Sequence, residues 1–290
     1  MLYRNAEGFA MSQRPQPNSP VLWRGFFPFP KAADHKYSRG HALIYGGEVM
    51  TGAARLAARA AQRIGAGIVT LACAEKSAPV YQQALESVIV RVVHDTDAWR
   101  ALLDDTKRDA VLIGPGLGIG DREIALVNTA LAARKPCVLD ADGLTNFAGR
   151  FETLKPLLHE RCVLTPHEGE FARLFDGLID PAADKQSRAL QAATTTGCII
   201  LLKGAETVIA APDGSAILND NAPPWLATAG SGDVLSGMIL GLIAQKMPPL
   251  MAAAAAAWLH GKIAADFGPG LIAEDIVTGI PEALKKLQAI

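Results

Sequence analysis

From about residue 36 onward, short apolar runs alternate with longer amphipathic or alanine-rich ones. Residues 41–45 read as a strand ending at Gly46-Gly47. Residues 51–64 read as an alanine-rich helix that Gly65 and Gly67 stop, and 68–72 as the next strand. The same reading predicts strands at 88–93, 110–113, 137–140, 162–164 and 198–202, with helices at 98–103 and 122–133. Residues 208–211, Pro212-Asp213-Gly214-Ser215 and 216–218 form a hairpin signal. Three helices then close the chain: one running to 244, one over 251–265 and one over 281–287. Strands that are apolar on both faces and alternate with helices predict an α/β fold, a mostly parallel central sheet with helices on both faces. No internal repeat is visible.

The first 30 residues break this rhythm. Pro15, Pro17, Pro20, Pro28 and Pro30 preclude a long helix, and Trp23, Phe26, Phe27 and Phe29 can pin the segment to a surface. Residues 1–30 are therefore expected to be a strap or linker, and 31–290 the folded domain. The row Arg55, Arg59 and Arg63 repeats every four residues and is read as a solvated helix stripe.

Composition narrows the classes. Half of the 290 residues are hydrophobic and the formal net charge is −1, so the chain is globular and has no basic field for nucleic acid. Cys73, Cys137, Cys162 and Cys198 are widely spaced in apolar contexts and are expected to be buried free thiols in a reducing cytoplasm. No charged-then-apolar leader pattern opens the sequence, and the apolar stretches near 234–244 and 252–257 are too short for a bilayer.

The unusual residues fall directly after the predicted strands: Gly46-Gly47, Gly114-Pro115-Gly116-Leu117-Gly118, Asp140-Ala141-Asp142-Gly143, Thr165-Pro166-His167-Glu168-Gly169-Glu170 and Lys203-Gly204. In a parallel sheet these share one edge, where ligands bind. The stretch Ala227-Thr228-Ala229-Gly230-Ser231-Gly232-Asp233 leads into the apolar run from Val234. Helix-start amides and glycines there make a cup for phosphate, with Asp233 either a plain N-cap or a base at its rim. The glycine spacing at 114–118 is not the dinucleotide fingerprint, and no P-loop motif occurs. That glycine run is either a tight turn or a ligand contact. Lys203 and Thr207 can serve phosphates, and Glu170 can order Mg²⁺ through water. His167 lacks the second histidine of a zinc motif, while His94, His159 and His260 have no catalytic context and are read as structural.

Taken together, Gly230-Ser231-Gly232-Asp233, Lys203-Gly204 and the strand-end motif with Glu170 resemble the ribokinase-like superfamily. The fit is closer to its nucleotide-dependent NAD(P)H-hydrate dehydratases. It adds His35-Lys36 through Gly46-Gly47, Thr51-Gly52-Ala53-Ala54-Arg55-Leu56-Ala57, Leu139-Asp140-Ala141-Asp142-Gly143-Leu144 and Lys203-Gly204-Ala205-Glu206-Thr207. It runs from about residue 30 to 285. His167 stands where related vitamin-precursor kinases usually carry Asn, which favours the dehydratase over a small-molecule kinase; Glu168 replaces a frequent Pro.

The resemblance implies ADP- or ATP-dependent dehydration of the S epimer of hydrated NADH or NADPH, releasing AMP and phosphate when ADP is used. It makes Asp233 the base, and Ala53, Gly116, His167 and Asp233 contacts to the hydrate. It gives the nucleotide phosphates to Lys203, Gly204, Ala205, Glu206 and Thr207 together with Ala229, Gly230, Ser231 and Gly232. It further implies Mg²⁺, an epimerase as functional partner, a tetrameric homo-oligomer, a cytoplasmic setting, and no nucleic-acid or membrane partner. The alternative is a kinase of the same superfamily that releases a stable phosphoester, or a nucleotide sensor without turnover.

Overall fold

Alternation along each strand decides the architecture. Ala42 and Ile44 face one apolar layer and Leu43 and Tyr45 the other; Ala110 and Leu112 divide from Val111 and Ile113 in the same way. A sheet apolar on both faces has to be covered on both. The computed structural model describes residues 15–289. Expectations that fall on residues 1–14 of the strap lie outside the described residues.

Among the described residues, ten strands form one sheet: β1 (Gln16–Pro17), β2 (His41–Gly46), β3 (Ile68–Cys73), β4 (Ile89–Val92), β5 (Ala110–Ile113), β6 (Cys137–Leu139), β7 (Cys162–Leu164), β8 (Ile199–Leu202), β9 (Thr207–Ala210) and β10 (Ala216–Asn219). Their order is β1-β10-β9-β8-β7-β6-β5-β2-β3-β4. β9 is antiparallel to β8 and β10, forming the expected hairpin with β10, and the other neighbours are parallel. The chain runs from β2 to one edge through β3 and β4, then returns past β2 to β5 and proceeds the other way. The carboxyl ends of β2 and β5 therefore flank a switch point, where such sheets open a crevice.

Helices Thr51–Arg63, Ser231–Ala244, Pro249–Phe267 and Ala273–Ala289 cover one face. Helices Thr96–Asp104, Asp121–Ala132, Glu168–Leu174 and Lys185–Thr196 cover the other. Ser231–Ala244 lies against Thr51–Arg63 with almost no side chain between them. A Cβ on Gly237 would fall 2.3 Å from the Ala57 carbonyl oxygen, and one on Gly241 would fall 2.7 Å from that of Ala61. The facing row Ala53, Ala54, Ala57, Ala58, Ala60 and Ala61 is buried throughout.

Strands β2 to β10 match the expectations to within two residues, whereas β1, within the expected strap, and the last helix do not. It begins at Ala273 and carries Pro281 inside it, where a helix starting at Pro281 is predicted. An interior proline removes one backbone hydrogen bond and costs about 3 kcal/mol. The stripe Ile276, Val277, Ile280, Ala283 and Leu287 is buried along the whole length, and that burial outweighs it. Helices Ala78–Ala84, Glu168–Leu174 and Lys185–Thr196 are not anticipated, although Asp184 caps the last of them through the Ser187 amide and Gly197 ends it in the left-handed region.

The described part of the strap belongs to the fold. β1 pairs with β10, and Asn18 donates to Asn219 Oδ1 and to the Ala254 carbonyl, both at 2.8 Å. Trp23 is fully buried, with its ring 5.9 Å from that of Trp258. Of the arginine row, Arg59 and Arg63 are exposed and Arg55 is half-buried. All four cysteines are free and buried. Among the described residues, no helix is long and apolar enough to cross a membrane.

Because Gly237 meets backbone rather than a flexible side chain, Gly237→Ala is expected to force the two helices apart and destabilise the fold by about 1–3 kcal/mol. The readout is the midpoint of urea unfolding; an unchanged midpoint would show that the helices separate freely.

Candidate active site

Three neighbouring strands deliver the charged centre. Asp140 follows β6, Glu170 lies just beyond β7, and Lys203 follows β8. The Lys203 Nζ is 2.9 Å from Asp140 Oδ1 and 3.9 Å from Glu170 Oε2. Asp140 is almost fully buried and Glu170 buried. Burial works against the ammonium charge, but Asp140, then Glu170, outweigh it and hold the Lys203 pKa above its ordinary value. The sequence assigns Lys203 to nucleotide phosphates; in the structure it is first the counterion of these carboxylates.

Asp233 enters this centre from the first turn of Ser231–Ala244. Burial, with the negative charges of Asp140, Asp142 and Glu170, pushes its carboxyl up to about 7, while Lys203 pulls the other way. A carboxyl poised there can take and return a proton near neutral pH. The Asp233 side chain makes no cap bond to its own helix; the N-cap position is Gly230, at φ +86°. The plain N-cap reading of Asp233 is thereby set aside.

The cup beside it has open donors. The Ser231 amide bonds to the Thr228 carbonyl and the Val234 amide to that of Gly230, leaving the amides of Gly232 and Asp233 without a backbone acceptor among the described residues. Gly230 must be glycine, since a Cβ would meet Leu56 Cδ1 at 2.7 Å and its φ is positive. Gly232 has neither constraint. The nearest atom to a Cβ there is Lys203 Nζ at 3.5 Å, so what a side chain would fill is the space over the ammonium. That space and those donors fit a phosphate group.

His167 carries a role that the sequence reading missed. It is the N-cap of Glu168–Leu174: its Nδ1 accepts from the amides of Gly169 (3.0 Å) and Glu170 (3.2 Å), and Glu170 Oε2 accepts from the His167 amide at 2.8 Å. This reciprocal cap fixes both side chains. Nε2 lies 3.5 Å from Glu170 Oε1 on a half-exposed ring. A bridge between His167 and Lys203 joins the two loops.

Gly116 sits at the switch point with φ +63°, and a Cβ there would meet the Met50 carbonyl oxygen at 2.4 Å. A Cβ on Gly47 would lie 1.5 Å from Gly116 O. Tight packing of the two loops thus accounts for these glycines. Gly118 donates to Asp142 Oδ2 at 2.9 Å, which ties the loop to the carboxylate cluster. Ala53 is buried in the first turn of Thr51–Arg63, its amide on the Met50 carbonyl. Gly204, Ala205 and Glu206 are exposed, Ala229 is exposed, and Thr207 is buried at the start of β9.

Three functional candidates escaped the sequence reading. In the sequence Asp140 is one member of a polar cluster; in the structure it is the main partner of Lys203. Lys185 donates to the carbonyls of Lys203 (3.0 Å) and Glu206 (2.6 Å), holding the 203–206 loop. His260, read from sequence as structural, reaches the cup and bonds to the Ser231 carbonyl at 2.9 Å. No sequence signal pointed to it, because its partner is a backbone atom 29 residues away. Among the described residues, no group of three His, Cys, Asp or Glu is placed to hold a metal ion.

The raised Asp233 pKa has a consequence for stability. The folded protein binds its proton more tightly than the unfolded chain, so stability falls as pH rises from about 3.8 to about 7. Asp233→Asn removes that loss. The variant is expected to exceed the parent by about 2 kcal/mol at pH 8 and to match it near pH 4. Denaturant titrations at the two pH values check this, and a difference independent of pH would contradict it.

A family model described as NAD(P)H-hydrate dehydratase matches residues 42–280. The bifunctional NAD(P)H-hydrate repair enzyme Nnr of Salinibacter ruber is 38% identical over 275 residues, covering 89% of this chain and 50% of that protein. The chain thus spans about half the length of the bifunctional relatives that it matches. The ADP-dependent (S)-NAD(P)H-hydrate dehydratase of Neisseria meningitidis is 35% identical, covering 83% of this chain and 84% of that one. The crystal structure of the ADP/ATP-dependent NAD(P)H-hydrate dehydratase of Bacillus subtilis, co-crystallised with ATP/Mg²⁺, superposes with a TM-score of 0.81 at 30% identity, covering 95% of this chain and all of that one. The fold is ribokinase-like, and the chain belongs to the NAD(P)H-hydrate dehydratase family.

Proposed function

We propose that the protein restores NADH or NADPH from the S epimer of the hydrated cofactor, spending ADP and releasing AMP and phosphate. The observation that carries this reading is Asp233, a carboxyl poised near pH 7 at the rim of a glycine cup that faces an ammonium. The chemistry needs that combination, because hydroxide is a poor leaving group and phosphate a good one.

In this reading Asp233 takes the proton of the C6 hydroxyl as its oxygen attacks the terminal phosphoryl group of the nucleotide, which leaves as AMP. The amides of Gly232 and Asp233 meet the charge on the transferring group, and Lys203 adds its ammonium. The lone pair of the ring nitrogen then expels phosphate, and loss of the C5 proton restores the ring double bond. The residues at 203–207, fixed from behind by Lys185, hold the nucleotide, while Ala53, Gly116 and His167 line the hydrate side.

Mg²⁺ bound to the nucleotide would neutralise phosphate charge. The donor set suits it only through water, with Glu170 the nearest candidate, because the described residues offer no three-ligand cage. The S stereochemistry leaves the R epimer to an epimerase, which we take as the functional partner.

The test is absorbance at 340 nm on adding the protein to hydrated NADH with Mg²⁺ and ADP. A nucleotide-dependent rise with one phosphate released per NADH is expected, and Asp233→Asn should lose at least 100-fold in rate. A stable phosphoester product would replace this reading with a kinase. Because the base must be ionised, kcat/KM should fall about tenfold per pH unit below about 7; a flat profile from pH 5 to 8 would remove Asp233 from the role.

A further inference from the structure

The segment that precedes the cup is gripped by one face of a single helix, Pro249–Phe267. Asn221 Nδ2 donates to the Trp258 carbonyl at 2.9 Å, and Trp225 Nε1 donates to that of Ala264 at 2.7 Å. Gly261 is pressed onto Asn221, whose Oδ1 would lie 2.1 Å from a Cβ. These contacts align the incoming chain. His260 contributes the contact to the cup itself, Nε2 to the Ser231 carbonyl at 2.9 Å. A carbonyl only accepts, so Nε2 carries the hydrogen. Burial in the apolar helix pushes the imidazole down to about 4, and it stays neutral at working pH.

The bond matters because of what lies across the same peptide. No cis peptide occurs among the described residues, and in a trans peptide the carbonyl of Ser231 and the amide of Gly232 point in opposite directions. Drawing the carbonyl to His260 turns the Gly232 N–H away from it. Ser231 opens the helix, so its carbonyl also takes the helical bond from the amide four residues on; Gly232 offers little steric resistance on the other side of that peptide, and His260 adds a second hold on the carbonyl in this frayable first turn. A flipped peptide would present an oxygen where the cup needs a donor.

We propose that His260 is a positioning residue that locks the Ser231–Gly232 peptide with its N–H toward the phosphoryl group of the nucleotide. This rests on the function proposed above. Ser231 helps from its other end, since its Oγ donates to the Leu226 carbonyl at 2.8 Å and anchors the side chain while His260 anchors the carbonyl.

The test compares His260→Phe, which keeps a ring and loses the donor, with His260→Gln, whose amide donor reaches to where Nε2 lies. His260→Phe is expected to bind ADP about tenfold more weakly by calorimetry and to lose kcat, with KM for the hydrate unchanged and a near-native melting temperature. His260→Gln should recover most of both. If His260→Phe binds ADP and turns over as the parent does, or if His260→Gln is no better than His260→Phe, the inference is overturned. Failure of the functional reading looks different: the parent would bind ADP without any rise at 340 nm, and the ADP affinities of the two variants would still decide the role of His260.

Discussion

The contact on which the site depends is backbone against backbone, Gly237 on Ala57 and Gly241 on Ala61. An alanine face and a glycine notch let two helices approach more closely than side chains of ordinary size permit. Their axes then bring both N-termini to the carboxyl edge of the sheet. One carries the cup with Asp233, the other carries Ala53 behind the Gly47–Gly116 crossing. Leu56 packs against Gly230, so the position of the cup depends on the alanine helix as well as on its own. Dispersion and apolar burial thus fix an electrostatic arrangement that could not hold itself together.

Lys203 solves the opposite problem. Asp140, Asp142, Glu170 and Asp233 converge where three strands end, and such a cluster would repel itself and any phosphate. The half-buried ammonium of Lys203, tied to Asp140, offsets part of this and cross-links the ends of β6, β7 and β8. Burial of Asp233, and then the negative charge that Lys203 leaves uncompensated, raise its pKa. A fully neutralised cluster would leave Asp233 a stronger acid and a weaker base. The site is therefore less stable than the same residues could be, and more useful.

What the sequence made legible was whatever acts locally or repeats. Apolar runs with glycine breaks located the strands, and the position of glycine and charge after each strand located the edge that matters. The hairpin at Pro212-Asp213-Gly214-Ser215 and the cup at 230–233 were visible for the same reason. Contacts between distant residues were not. That His167 and Glu170 cap one short helix was concealed by their likeness to half a metal motif. Asp140 looked like one polar residue among several until β6 and β8 put it beside Lys203. The local rule for Pro281 is a helix start, and long-range burial of Ile276, Val277 and Ile280 overrides it. The strap tells the same story: its prolines announced irregular backbone, but only the fold shows Trp23 against Trp258.

Glycine itself separates structure from chemistry in this chain. Gly47, Gly114, Gly116, Gly230, Gly237 and Gly241 each have a neighbour that a Cβ would strike, so packing alone explains them. Gly232 does not. Its φ is not positive, and the nearest atom to a Cβ there is the Lys203 ammonium at 3.5 Å. What its missing side chain leaves open is the space over the Lys203 ammonium, beside an amide with no backbone acceptor among the described residues. In the reading proposed above, that space takes the phosphoryl group and Asp233 stands beside it as the base.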